Sequence, residues 1–152
     1  MTNCCYACYT VSTLNEVPGP ATILVVDDEP VALNFCCAAL RRGGYDVSSA
    51  SGGMQALPYF GPDRPFIDLA LLDVMMPGFN GVELAKRISQ ISPDTRIVLM
   101  SGYTPGEIKR LIGKDTADYP SMWKPFTAGS LVQMVSNVLG RTPHSKAKAT
   151  TP

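Results

Sequence analysis

The sequence predicts an α/β fold in which five parallel strands are covered by helices on both faces. Short apolar runs of strand length alternate along the chain with amphipathic segments of helical period. The chain has 152 residues, of which 45% are hydrophobic and 17% charged, so it can form one domain with a substantial core. We expect this domain to span residues 21–140, between a flexible N-terminal extension at 1–20 and a disordered C-terminal tail at 141–152.

The predicted strands are runs rich in β-branched and other apolar residues. They are ATILVV (21–26), YDVSSA (45–50), FIDLALLD (66–73), RIVLMSG (96–102) and YPSMW (119–123). Each is followed by a segment with helical spacing: 30–42, 52–60, 80–92, 104–112 and 127–139. Pro58 weakens the second of these helices, since an interior proline costs about 3 kcal/mol. Thr104 and Glu107 form a capping box that starts the fourth.

The first helix carries adjacent cysteines. Cys36 shares its helical spacing with the apolar residues Ala32, Phe35, Ala39 and Leu40. We therefore expect Cys36 to be buried against the sheet, and Cys37, about 100° further round the helix, to be more exposed.

Cysteines also cluster near the N-terminus, at Cys4, Cys5 and Cys8. The C-x-x-C spacing of Cys5 and Cys8 raises a metal or redox site as an alternative. A structural zinc site needs four ligands, however, and the sole histidine, His144, lies at the far end of the chain. We interpret these residues as incidental thiols.

Charge and hydropathy exclude several classes of partner. The 13 basic and 13 acidic residues cancel, so no overall field attracts the chain to nucleic acid or to anionic lipid. No apolar run reaches the roughly 18 residues that a membrane-spanning helix needs, and no Lys or Arg precedes Arg41 to begin a signal peptide. We expect a cytoplasmic protein that binds neither nucleic acid nor membrane directly.

Polar residues end most of the predicted strands. Asp27 and Asp28 follow the first strand, Asp73 ends the third, Ser101 the fourth, and Lys124 follows the fifth. In open parallel sheets, ligands bind beyond the carboxyl ends of the strands, where the strand order reverses. We therefore expect all of these groups to share one edge of the sheet.

Three carboxylates at one edge repel each other. At about 4 Å and an effective dielectric constant of about 20, each pair costs about 4 kcal/mol. A divalent cation converts this repulsion into attraction, and carboxylate oxygens favour a hard ion, so we predict bound Mg2+.

The remaining groups at this edge favour phosphoryl chemistry. Lys124 offers a point charge suited to a phosphate, and Ser101 offers a hydroxyl donor. Phosphoryl transfer needs a nucleophile in line and positive charge around the equatorial oxygens. Asp73 can be that nucleophile, which would give an aspartyl phosphate.

Four motifs in order resemble the receiver domain of two-component response regulators. They are ILVVDDEP, LLDVMMPGFNGVEL, IVLMSGY and KPF, within a match that runs from about residue 22 to residue 139. The resemblance implies a flavodoxin-like, doubly wound sheet of strand order 2-1-3-4-5. It also implies that Asp73 is the phosphoacceptor, that Ser101 and Lys124 hold the phosphoryl group, and that the Lys124–Pro125 peptide bond is cis. By the same resemblance, Asp28, Asp73 and the backbone carbonyl of Met75 bind Mg2+ directly, and Asp27 binds it through water.

Members of this family usually carry a Phe or Tyr three residues before the lysine, as a switch coupled to the hydroxyl residue. This chain has Ser121 there, which puts the route of signal output in question. We expect Tyr119 to lie on the same side of the strand as Ser121 and to replace the missing ring. Trp123 is expected to point to the opposite face.

The resemblance also implies partners. A histidine kinase or histidine phosphotransfer protein would supply the phosphoryl group, and a downstream protein would read the result. A dimer through helix 4, strand 5 and helix 5 is a further implied contact. The protein would be a signalling phosphoacceptor with only self-phosphorylation and autodephosphorylation chemistry, not an enzyme.

Two alternatives remain open. A magnesium-dependent phosphatase with an aspartate nucleophile needs an acid two residues beyond it, but Met75 holds that position after Asp73. A receiver fold that signals by contact alone would be expected to have lost its acidic residues, and this chain keeps them.

Overall fold

A computed structural model describes residues 19–140. The strands are β1 (Thr22–Val26), β2 (Asp46–Ala50), β3 (Leu69–Asp73), β4 (Arg96–Ser101) and β5 (Ser121–Trp123). The helices are α1 (Pro30–Arg42), α2 (Gly53–Ala56), α3 (Gly81–Ile91), α4 (Pro105–Ile112) and α5 (Ala128–Leu139), and a 3-10 helix at Leu57–Phe60 continues α2. Most of the predicted extension at 1–20, with Cys4, Cys5 and Cys8, and the whole predicted tail at 141–152 lie outside the described residues.

All five strands are parallel and form one sheet in the order β2-β1-β3-β4-β5, as predicted. The chain first winds from β1 to β2 at one edge and then from β3 through β4 to β5 toward the other. The order therefore reverses between β1 and β3. The carboxyl ends of these two strands open a crevice at the switch point, where ligands bind in sheets of this kind.

The sheet is buried on both faces, which explains why its strands are continuous apolar runs. Ile23, Val25 and Leu71 face a core that α1 and α5 complete. Leu24 and Leu72 face the opposite core, which the helices from α2 to α4 complete. Among the helices of residues 19–140, none is both long and apolar enough to cross a membrane.

Local sequence signals set the helix ends. Because Pro58 has no N–H to donate, the α-helix ends at Ala56 and the segment continues as a 3-10 helix. The predicted capping box is confirmed: the Thr104 amide donates to Glu107 Oε2 at 2.7 Å, and the Glu107 amide donates to Thr104 Oγ1 at 3.2 Å.

The predicted orientation of α1 is partly wrong. Cys36 is buried as expected, but Cys37 is only 3% exposed, whereas Phe35 is 43% exposed. Cys37 lies beside Ser49 of β2, and the Phe35 ring instead packs beside Phe126, with ring centroids 6.2 Å apart. The helix lies over β1 and β2 and also contacts α5, so its buried surface is wider than the predicted stripe.

The orientation of β5 corrects another prediction. Ser121 and Trp123 are both exposed, and Met122 between them is buried in the core on the α1 and α5 side. Trp123 therefore lies on the same side as Ser121, because two residues along a strand return to one face. Tyr119 packs against the α2 to α4 side as well.

Candidate phosphoryl and metal site

Carboxylates from two strand ends meet at the switch point. Asp27 and Asp28 follow β1 and Asp73 ends β3, and one oxygen from each lies within 4.8 Å of the others. Lys124, just after β5, reaches the same place: its Nζ lies 2.7 Å from Asp27 Oδ2 and 3.1 Å from Asp73 Oδ1. The fold thus brings together four of the side chains that the sequence placed at this edge.

The two acids after β1 have different surroundings. Asp27 is 1% exposed, and its Oδ1 accepts the Glu29 amide at 2.9 Å while its Oδ2 accepts from Lys124. Asp28 is exposed. Both oxygens of Asp27 are therefore already bonded to protein groups, whereas Asp28 turns toward the open side of the site.

Lys124 is held by the sheet. Its amide donates to the Ser101 carbonyl at 2.9 Å, which continues the pairing of β4 and β5 by one residue. The following Lys124–Pro125 peptide bond is cis, as the resemblance implied. Burial alone would lower the pKa of Lys124, but the hydrogen bond to Asp27 and the charge of Asp73 outweigh it and raise the pKa above its ordinary value.

Asp73 is the most strongly perturbed acid of the cluster. Burial at the end of β3 raises the pKa of its carboxyl to about 6, since desolvation disfavours the charged form. The Lys124 ammonium opposes this rise in pKa, and the Asp27 carboxylate adds to it. The site therefore holds a negative charge at Asp73 that a bound cation would stabilise.

Ser101 lies next to this cluster, but its hydroxyl has another bond. The Ser101 Oγ accepts the Tyr103 amide at 3.0 Å, at the beginning of the loop that leads into α4. Its backbone carbonyl accepts from the Lys124 amide. Ser101 thus links the end of β4 both to Lys124 and to the start of α4.

Gly81 permits the close packing that places Asp73. A Cβ at residue 81 would clash with the Asp73 carbonyl oxygen and approach Val74, so only glycine allows α3 to begin against the end of β3. The Asn80 side chain caps the helix by accepting the Glu83 amide at 2.9 Å. Sequence reasoning missed Gly81. The sequence signal that could have indicated it is a glycine directly after a helix-capping Asn, eight residues beyond Asp73.

The residues present fit a Mg2+ ion. Three carboxylates and one ammonium leave two negative charges in excess, and the oxygens lie within 4.8 Å of each other. All of the candidate ligands are hard oxygens, and the exposed Asp28 leaves room for the waters that Mg2+ usually keeps.

Grooves flank the cluster on two sides. On the Lys124 side, a groove of about 350 Å³ is lined by the apolar residues Val31, Phe35 and Phe126. On the Asp28 side, a groove of about 570 Å³ runs past Met76 and Phe79. The carboxylate cluster is therefore accessible from two sides, along largely apolar surfaces.

Comparison with known proteins agrees with this geometry. A family model described as "Response regulator receiver domain" matches residues 23–136. The transcriptional regulatory protein CseB of Streptomyces coelicolor is 36% identical over 123 residues, which cover 81% of this chain and 51% of that protein. The sensor kinase CckA of Brucella abortus is 30% identical over 129 residues, which cover 85% of this chain and 14% of that protein.

Solved structures show the same fold. A CheY-like response regulator receiver domain protein from Methanospirillum hungatei superposes with a TM-score of 0.69 at 25% identity, over 80% of this chain and 95% of that one. This chain spans about half the length of the CseB relative, 51%, and a small part of the kinase, 14%. The similarity therefore concerns the receiver unit of these longer proteins.

Proposed function

This chain belongs to the family of response regulator receiver domains, and we propose that it accepts a phosphoryl group on Asp73. Receiver domains of this family act in two-component systems as signalling proteins and not as classical enzymes. The observation that carries the proposal is the placement of Lys124 Nζ, 3.1 Å from Asp73 Oδ1 and 2.7 Å from Asp27 Oδ2. This places a fixed positive charge where a phosphoryl group on Asp73 would carry its negative charge.

The proposed reaction is a displacement at phosphorus. A carboxylate oxygen of Asp73 attacks the phosphorus of a phosphohistidine, an O–P bond forms, and the N–P bond of the donor breaks. The electrons of the N–P bond stay on the donor's ring nitrogen, which takes up one proton from solvent to give neutral imidazole. Hydrolysis of the aspartyl phosphate would return the carboxylate and inorganic phosphate, and this is the autodephosphorylation that ends the signal.

Individual side chains have distinct proposed roles. The Lys124 ammonium already lies between Asp73 and Asp27. After transfer it would bind a phosphoryl oxygen in place of the Asp73 carboxylate, because the negative charge then lies on the phosphoryl group. Ser101 would donate its hydroxyl proton to another phosphoryl oxygen. The Ser101 Oγ can do so while it still accepts the Tyr103 amide, since a hydroxyl both donates and accepts.

We propose that Asp28, Asp73 and the Met75 backbone carbonyl hold Mg2+. Asp27 would contribute mainly through water, because both of its oxygens are already bonded to Glu29 and Lys124. Bound Mg2+ supplies positive charge that neutralises the carboxylates and the phosphoryl oxygens. The chain's own residues orient the nucleophile and stabilise the transferred group.

Partners follow from the surfaces around the site. We propose that a histidine kinase or a histidine phosphotransfer protein docks on the apolar groove formed by Val31, Phe35 and Phe126, because this groove adjoins Lys124. The edge formed by α4, β5 and α5 is the proposed contact for a downstream protein or a second copy. It includes the exposed Leu111 and Trp123.

Incubation with acetyl phosphate tests the proposal. Intact-mass measurement should show a gain of one phosphoryl group that requires Mg2+ and disappears in Asp73→Asn. Asp68→Asn is the matched control, because Asp68 lies at the opposite end of β3, where it accepts the Thr22 amide at 2.8 Å. An undiminished mass gain in Asp73→Asn would disprove the assignment.

A further inference from the structure

Two adjacent glycines mark the beginning of the helix that borders the proposed metal site. Gly52 and Gly53 follow β2, and α2 begins at Gly53. Both glycines line the groove of about 570 Å³ that runs past Asp28, and Phe79 lines the same groove from the loop after β3. The proposed phosphoryl chemistry uses neither glycine, so their role lies in how the walls of this groove pack.

The two glycines differ in what surrounds them. A Cβ added at Gly53 would lie 2.5 Å from Cδ1 of Phe79 and 3.0 Å from its Cγ, so the aromatic ring packs directly on the glycine backbone. A Cβ added at Gly52 would instead meet Gln55 Oε1 at 2.7 Å, which is the far end of a flexible side chain that can move away. Gly53 therefore permits a close contact between two loops, and Gly52 does not take part in it.

Phe79 belongs to the loop that connects β3 with α3, and the base of this loop is fixed by the sheet. The Val74 amide donates to the Met100 carbonyl at 2.9 Å, which extends the pairing of β3 with β4. The Gly81 amide donates to the Val74 carbonyl at 3.0 Å and closes the loop. Met75, whose carbonyl is a proposed metal ligand, is the first residue beyond this closed base.

The tip of the loop is a tight turn at Pro77 and Gly78. The Phe79 amide donates to the Pro77 carbonyl at 2.9 Å, and Gly78 has a φ of +75°, a conformation that favours glycine. Before the turn, Met76 is buried in the core on the α2 to α4 side, and after it Phe79 packs on the start of α2. The Met75 carbonyl belongs to the peptide that joins Met75 to Met76, so its direction depends on where the turn is held.

We propose that Phe79 is a positioning residue for Mg2+, and that its packing on Gly53 holds the Met75 carbonyl in place as a ligand. This inference rests on the proposed function, because the Met75 carbonyl is one of the proposed ligands there. The contact lies in the wall of the same groove as Asp28, the exposed carboxylate of the cluster. Mg2+ demands near-ideal octahedral geometry, so a small displacement of one oxygen ligand is enough to weaken its binding.

Titration calorimetry of the full chain with Mg2+ alone tests this role with a matched pair of glycine variants. Gly53→Ala displaces the Phe79 ring and should weaken Mg2+ binding by about tenfold, the lower end of the usual cost of disturbing groups that orient metal ligands. Gly52→Ala is the control, because its added methyl group requires only a movement of the Gln55 side chain. Its Mg2+ affinity should match that of the unmodified chain.

Variants of the ring itself keep the test decisive if Gly53→Ala fails to fold. Phe79→Ala removes the ring without adding volume at residue 53, and it should weaken Mg2+ binding by a similar factor. Phe79→Leu keeps an apolar side chain against Gly53 and should restore most of the affinity. Urea denaturation in EDTA establishes that each variant is folded at the temperature of the titration, so a change in affinity reports on the folded site.

The rate of phosphorylation by acetyl phosphate supplies an independent readout. In Gly53→Ala the Mg2+ concentration that gives half of the maximal rate should rise by about tenfold, whereas the rate at saturating Mg2+ should stay close to that of the unmodified chain. A merely structural role of the contact would lower stability without this split, because the folded fraction would still bind Mg2+ normally.

The outcomes separate the positioning role from the proposed site. If the unmodified chain binds Mg2+ and Gly53→Ala binds it as tightly as Gly52→Ala does, the role of Phe79 is overturned and the proposed function stands. Equal affinities in Phe79→Ala and Phe79→Leu would overturn the role of Phe79 in the same way. Failure of the unmodified chain to bind Mg2+ and to gain a phosphoryl group would instead overturn the proposed function, and this inference with it.

Discussion

The Lys124 ammonium lies 2.7 Å from the Asp27 carboxylate, although 97 residues separate the two along the chain. Asp27 is almost fully buried, and Lys124 is its charged partner in the described part of the chain. The same ammonium also contacts Asp73. One ammonium thus pairs with two carboxylates, and the cluster of three carboxylates keeps an excess of negative charge. Its affinity for metal ions and the protonation of its carboxylates depend on this excess charge.

Loss of Asp28 should weaken magnesium binding by about tenfold or more, which corresponds to about 1.4 kcal/mol. Asp28→Ala removes the exposed carboxylate and leaves the Lys124 contacts intact. Asp27→Ala should cost less affinity, because Asp27 is already engaged by Lys124 and by the Glu29 amide. Isothermal titration with Mg2+ measures both. Glu29→Gln is the matched control, since Glu29 is an exposed neighbour outside the carboxylate cluster; equal affinity in Asp28→Ala and this control would contradict the proposed ligand.

Asp73→Asn should raise the free energy of unfolding at pH 7.5 in EDTA by about 3 kcal/mol, since each pKa unit corresponds to about 1.4 kcal/mol. The pKa of Asp73 is about 6 in the folded protein and close to its ordinary value of 3.8 in the unfolded chain. A raised pKa means that the folded protein binds the proton more tightly, so this contribution is fully present below about pH 4 and is lost as the pH rises through about 6. The stability gain of the variant over the unmodified chain should therefore grow as the pH rises from about 4 and be complete above about pH 6.

Urea denaturation between pH 4 and pH 8 measures this difference. The gap between the two proteins should narrow toward about pH 4 and close at lower pH, where Asp73 is protonated in both states. Added Mg2+ should stabilise the unmodified chain more than Asp73→Asn, because the variant lacks one proposed ligand. A constant gap across the pH range would show that Asp73 titrates normally.

Gly81→Ala should destabilise the fold by about 1 to 3 kcal/mol, the usual cost of overpacking. The added Cβ would clash with the Asp73 carbonyl oxygen, so the start of α3 or the end of β3 must move. Phosphorylation by acetyl phosphate should slow as well, because the movement displaces Asp73. Gly106→Ala is the control: residue 106 lies in α4 with open space around it, and alanine there should be neutral or stabilising. Equal stability of the two variants, measured by urea denaturation, would argue against the close approach.

Both cysteines of α1 should resist labelling in the native protein. Burial raises the pKa of Cys36 to about 11 and also raises the pKa of Cys37, so neither forms much thiolate near neutral pH. Labelling with iodoacetamide followed by peptide mapping should give similar slow rates for the two, and urea should accelerate both. Rapid native labelling of Cys37 alone would contradict its burial and would support the orientation of α1 that the sequence predicted.

The local elements of this protein follow from its sequence because their causes are local. The apolar strand runs, the Thr104 capping box and the break at Pro58 all appear as predicted, since each depends on residues within one turn or one strand. The edge occupied by Asp27, Asp73 and Lys124 was also predictable, because parallel strands place their carboxyl ends together.

The tertiary structure decided what depends on neighbours distant in the sequence. Cys37 is buried because α1 lies across both β1 and β2, and a helical stripe does not reveal how wide its partner surface is. The pKa of Asp73 depends on how much water the assembled sheet edge excludes and on the distance to Lys124. A small cavity of about 10 Å³ between β4, α4 and β5, lined by Ser101, Ile108 and Ser121 among others, is likewise a property of the assembled core, because it depends on how side chains from three elements pack.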